Sequence, residues 1–147
     1  MPEKATLQRA EQDKREGKAP STQAGEFVRE EIEHVREGRH GARSPRQAIA
    51  IGLSKARRAG IEMPPPRKVS TSRRTRRQAA RDTRAAARSV STRRSRATLR
   101  ALTREGRAAG SRQALSRQAR GAAARRSAKS RSGAARRAAA TRTRTAR

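Results

Sequence analysis

The chain is 147 residues long and carries 40 Lys and Arg against 12 Asp and Glu, a formal charge of +28. Only 31% of its residues are hydrophobic, and it has no Cys, Trp or Tyr and a single Phe. This composition excludes disulfide scaffolds, thiolate zinc sites and cysteine nucleophiles, and it cannot fill the whole length with a packed core. No apolar run approaches the roughly 18 residues of a membrane span, and Met1 is not followed by a signal-peptide apolar segment. The expected compartment is the cytoplasm, and the expected partner is a polyanion.

The charge is unevenly placed. Residues 1–62 hold 13 basic and 10 acidic side chains, whereas residues 63–147 hold 27 basic and 2 acidic ones. The stretch Met63-Pro64-Pro65-Pro66 reads as a stiff spacer that no helix crosses. The expected organisation is a small helical domain over 1–62, a Pro-rich linker over 63–66 and a basic Arg/Ala-rich tail over 67–147. Such asymmetry points to nucleic acid or an anionic surface.

In chain order, a first helix is predicted over about residues 3–16, ended by Gly17 and Pro20 and thinly apolar through Leu7 and Ala10. A second is predicted with Ser21 as its cap and a stripe of Ala24, Phe27, Val28, Ile32 and Val35 at three- and four-residue intervals. Glu26, Glu30, Glu31 and Glu33 read as its solvated face, and Gly38 and Gly41 as its break. The third carries the clearest signals. Ser44 is the cap, Pro45 the first helical residue, and Gln47 stands three residues after the cap. Ala48, Ile49, Gly52, Leu53 and Ala56 form its apolar face, and Gly60 supplies a left-handed stop onto which Ile61 folds back. Gly52 on that face predicts close approach to the second helix, against Phe27. With about nine large apolar side chains the domain is expected to be marginal alone, or steadied by self-association. The fold class expected is all-α: a helical hairpin or three-helix domain, then a partly disordered tail with helical segments.

The run STQAGEFVREEIEHVREGRHGARSPRQAIAIGLSKARRAG, from Ser21 to Gly60, resembles a family of small, basic bacterial proteins built around an uncharacterised helical domain. The resemblance implies a bacterial or phage source and that domain. It implies no reaction, cofactor or site residue.

The tail is mostly Arg, Ala, Ser and Thr, with Gly106, Gly110, Gly121 and Gly133 expected to divide it into segments. Arg93, Arg96, Arg100, Arg104 and Arg107 would fall within about 80° of arc on one helix, and Arg73, Arg77, Arg81, Arg84 and Arg88 repeat the pattern. A weak echo links REGRHGARSPRQAI (36–49) with REGRAAGSRQAL (104–115), placing Ser111 as cap of a helix over about 112–125 that carries Leu115. The composition is similar to linker-histone-type tails, although those are typically Lys-rich and this one uses Arg.

Phosphate binding is the chemistry these residues offer. Arg makes planar, bidentate contacts with phosphate, and if about ten tail cations engaged duplex DNA the log–log salt slope would be roughly −9. The candidate phosphate contacts are the two stripes together with Arg112, Arg117, Arg120, Arg125, Arg126, Arg136 and Arg137. The tail lacks the aromatic platforms of single-strand and RNA binders and the apolar anchors of membrane-surface helices. The expected function is therefore sequence-nonspecific, histone-like neutralisation and compaction of duplex DNA in the nucleoid, with helix formation strengthened by phosphate. A sharper alternative makes the second and third helices a helix-turn-helix, with Arg46, Gln47 and Lys55 facing a groove. Two others are an RNA-associated role and a protein-interaction adaptor, in which residues 1–62 bind a partner and the tail localises it. His34 and His40 read as solvated surface histidines. No metal, cofactor or catalytic residue is expected.

Overall fold

The computed structural model describes residues 2–66, 71–85 and 91–145, apart from the side chains at 141, 144 and 145. Among the described residues the chain forms seven α-helices and no strand. It divides into two compact units, residues 1–111 and 112–147.

The first unit opens with α1 (Lys4–Arg15), α2 (Pro20–Glu37) and α3 (Pro45–Arg58). In α1 the buried residues are Thr6, Ala10 and Asp13, at helical spacing, while Leu7 stays exposed. Small side chains, rather than the leucine, set this helix against α2. The start of α2 differs from the expected Ser21 cap. Ala19 is the cap residue and Pro20 the first helical residue, because proline's fixed φ suits that position and its missing N–H costs nothing there. The helix ends at Gly38, whose φ of 77° lets Gly38 N–H and Arg39 N–H bond to Val35 O and His34 O. This is the left-handed C-terminal turn that favours glycine.

α3 follows its sequence signals closely. Ser44 is extended and its Oγ accepts from Gln47 N–H at 3.3 Å, while Gln47 Oε1 accepts from Arg43 N–H at 2.7 Å. At the other end Gly60 adopts φ 89°, and Ile61 N–H reaches Ala56 O at 3.1 Å. Ile61, Leu53 and Met63 then pack on a cluster of Ala10, Ala24, Phe27 and Ala56. A second cluster joins Val35, Ala42, Ala48 and Ala109. Cores this rich in alanine let helix axes approach closely, and Gly52 brings α3 against the α2 backbone as anticipated.

The expected linker at 63–66 falls inside the first unit. Beyond it α4 (Arg73–Arg84) docks on α3 through Asp82. Next come α5 (Thr92–Thr103) and a single 3-10 turn at Ala108–Gly110. That turn seats on the end of α2, with Arg36 Nε donating to Gly110 O at 2.7 Å. The two echoed segments meet here. Gly41 N–H bonds to Leu102 O at 2.9 Å, and Ala42 N–H bonds to Gly106 O at 3.1 Å.

The second unit contains α6 (Arg112–Ala124) and α7 (Ala128–Thr145). Ser111, with extended backbone, precedes α6 at the expected place, and Leu115 is half-buried. Ser127 Oγ accepts from Ser130 N–H at 3.2 Å at the start of α7. The expectation of a partly disordered tail gives way to four helices among the described residues of 67–147. Their Ala and Arg content has high intrinsic helix propensity, enough to carry Gly121 and Gly133 inside α6 and α7 rather than at breaks.

Candidate nucleic-acid interface

α4 explains how an arginine face is built. At 100° per residue, Arg73, Arg77, Arg81 and Arg84 lie within about 80° of arc, roughly opposite Ala79 and Asp82. Ala79 and Asp82 are the buried residues of the helix, and the four arginines are exposed. Asp82 fixes this orientation. Its carboxylate accepts from Ser54 Oγ at 2.8 Å, from Arg58 Nε and Nη2 at 3.1 and 3.0 Å, and from Gln78 Nε2 at 3.0 Å. The docked face thus turns the cations outward. Arg88, the fifth member of this expected stripe, lies outside the described residues.

The second stripe is shorter than expected. Arg93, Arg96 and Arg100 are exposed on α5, but the helix ends at Thr103. Arg104 and Arg107 sit in the connection to the 3-10 turn, because Leu102 and Ala109 are drawn into the first unit there. They remain exposed, off the helical stripe. In the second unit Arg112, Arg117, Arg120, Arg125, Arg126, Arg136 and Arg137 are all exposed.

The residues expected to face a groove are engaged differently. Arg46 is exposed, whereas the carboxamide oxygen of Gln47 is held by the cap of α3. Lys55 turns inward, with Nζ 3.2 Å from Glu30 Oε1 and 2.7 Å from Glu31 Oε2. Its attraction to two carboxylates of the facing helix overrides solvation.

Those carboxylates correct a further expectation. Glu30 and Glu31 are 2% and 0% exposed, not part of a solvated face, because α1, α3 and the 38–42 loop supply their partners. Glu30 Oε2 accepts from the Glu3 N–H at 3.0 Å. Burial raises the Glu30 pKa, but bonds from Thr6 and Glu3 N–H and the charge of Lys55 together hold it below the ordinary value. Burial works against a charged Lys55, and the two glutamates more than offset it, so its pKa is raised. At the rim, hydrogen bonds from His34 and Arg39 lower the Glu3 pKa, while Glu3 and Glu37 raise that of Arg39.

The histidines are less exposed than expected: His34 is half-buried and His40 buried. His40 is 8% exposed, with Nδ1 3.0 Å from Gly41 O and Nε2 3.1 Å from Glu31 Oε1. His34 Nε2 lies 3.1 Å from Glu3 Oε1, and the two imidazoles meet edge to face with centroids 6.0 Å apart. Glu31 and His34 occupy one helix face, three residues apart, and His40 follows directly after the Gly38 turn. That spacing was the sequence signal for this cluster.

Residues 14–68 match the Family of unknown function (DUF6496). The match takes in α2 and α3 entire and a little over a third of the chain. No curated protein and no solved structure matches the chain.

Proposed function

We propose that the protein binds duplex DNA without reading its sequence, in the manner of a linker-histone-type tail, and neutralises and compacts it in a bacterial nucleoid. The observation that carries this reading is the α4 face, where Arg73, Arg77, Arg81 and Arg84 stand exposed opposite the docked residues Ala79 and Asp82. Exposed arginines continue along α5, α6 and α7. Guanidinium groups at helical spacing supply many phosphate contacts, and each contact releases condensed counterions from the duplex. The segments already stand as helices, so the cations are spaced before binding, and repulsion along each stripe is relieved when phosphates arrive.

Gel-shift titrations of the full chain over several unrelated duplexes, each at a series of salt concentrations, test the proposal. Similar affinities with a steep common salt dependence are expected. A strong preference for one duplex, or preferential competition by structured RNA, counts against it.

A further inference from the structure

We propose that Glu31, His34 and His40 form a binding site for a divalent transition-metal ion of the zinc class, which ties the 38–42 loop to α2. One ligand atom from each of the three residues lies within 4.8 Å of the other two. Glu31 and His40 are both buried, so the site is set into the fold rather than spread over its surface.

The contacts of His40 turn its Nε2 into the cluster. Gly41 O is only an acceptor, so Nδ1 of His40 carries the proton that it receives. Nε2 faces Glu31 Oε1, an acceptor, at 3.1 Å, a contact that either a proton or a metal ion on Nε2 completes. Neither Glu31 oxygen has an aligned hydrogen-bond partner, although Lys55 Nζ stands 2.7 Å from Oε2. Lys55 therefore balances the far oxygen and leaves Oε1 directed at the imidazole.

A backbone carbonyl holding Nδ1–H while Nε2 faces inward is the usual outer-shell support of a metal-bound histidine. Two imidazoles and one carboxylate suit zinc and its neighbours, with a fourth position open to water or another carboxylate. Glu3 Oε1 lies 3.1 Å from His34 Nε2, and Arg39 Nη1 contacts both, so Glu3 would join the ion only if Arg39 moves aside. Local charge favours a cation as well: four carboxylates, Glu3, Glu30, Glu31 and Glu37, face the two basic side chains Lys55 and Arg39. Magnesium and calcium, which prefer all-oxygen shells, fit this donor set poorly.

The chain has two His and no Cys, so both imidazoles can be followed individually in the intact protein. Chelator-stripped full-length protein would be titrated with Zn2+ while the imidazole resonances are recorded. One equivalent is expected to shift both rings, and Mg2+ at the same concentration neither. Co2+ should give a visible ligand-field band at the same stoichiometry. The paired substitution His34→Gln, His40→Asn should weaken Zn2+ binding by more than the roughly 10–100-fold that loss of an outer-shell partner costs. Glu33→Gln, outside the cluster, should leave it unchanged. Imidazole signals that ignore one equivalent of Zn2+ overturn the proposal without any variant having to fold. Undiminished binding by the folded double variant overturns it equally.

Discussion

Gly52 of α3 rests on the backbone of Val28 in α2. A methyl group built there would come to 2.6 Å from Val28 Cα and 2.9 Å from Phe27 O. Backbone atoms cannot rotate aside, so Gly52→Ala forces the two helices apart. Alanine gains about 1 kcal/mol of helix propensity over glycine, while overpacking costs typically about 1–3 kcal/mol, occasionally more. With the obstruction wholly backbone, strain wins, and a net loss of about 1–2 kcal/mol is expected. Gly25 supplies the control, since nothing lies within 4 Å of its added methyl. Gly25→Ala should be neutral or stabilising. Urea unfolding followed by circular dichroism checks both, and an unchanged midpoint for Gly52→Ala contradicts the packing described.

Asp82 determines which side of α4 meets α3. Asp82→Asn keeps the shape but removes the charge facing Arg58, and its NH2 takes the place either of Oδ2, which accepts from Ser54, or of Oδ1, which accepts from Arg58 and Gln78. The expected cost is about 1–3 kcal/mol, the range for an unsatisfied buried polar group. It should appear as local opening of α4, not as global unfolding. Amide hydrogen exchange would then quicken across 73–84 while the α2 amides keep their protection. Equal protection of α4 in both proteins would remove Asp82 from its docking role.

The same residue shows where sequence reading stopped. The helices of the 21–60 region were legible because their signals are local: the Ser44 cap, Pro45, the Gly60 stop and a three–four apolar rhythm all act within one or two turns. Gly52 was legible too, as a small residue interrupting an apolar face. Asp82 is one of only two acidic residues among the 27 basic ones of 63–147, and its role depends on Arg58 and Ser54, 24 and 28 residues away. Glu30 and Glu31 misled for the same reason. Charge suggests solvent unless the partner on another element is known, and here Lys55 and the Glu3 N–H lie 25 and 27 residues distant. The arginine stripe of α4 was visible as a period, but which side it faced was not.

Gly41 and Glu105 are a second point of backbone contact. A Cβ on Gly41 would overlap Glu105 O, and the adjoining amides reach Leu102 O and Gly106 O. Gly41→Ala should therefore release the 102–110 segment from the end of α2. Loss of amide protection at Ala42 is the expected sign, with the amides of α3 retained because Ser44 still caps that helix. If the Ala42 amide stays as slow as in the parent chain, the two echoed segments do not meet as described.

Arg77 and Arg81 lie in the middle of the exposed α4 face, one turn apart; Arg81 Nη2 also donates to Gln78 Oε1 at 2.8 Å on the same helix. Converting both to Gln keeps helix propensity nearly constant and removes two cations from the proposed phosphate contacts. Each lost contact reduces the log–log salt slope by about 0.9, so the double variant should bind duplex DNA with a slope shallower by about 1.8. The weakening should be alike for all duplexes, because backbone contacts carry no sequence information. Thermal unfolding should stay within about 0.5 kcal/mol of the parent, as befits exposed positions. Fluorescence anisotropy with labelled duplexes over a range of salt separates these outcomes. A drop confined to one sequence would point to base reading by α4, whereas an unaltered slope would place the DNA contacts on other helices.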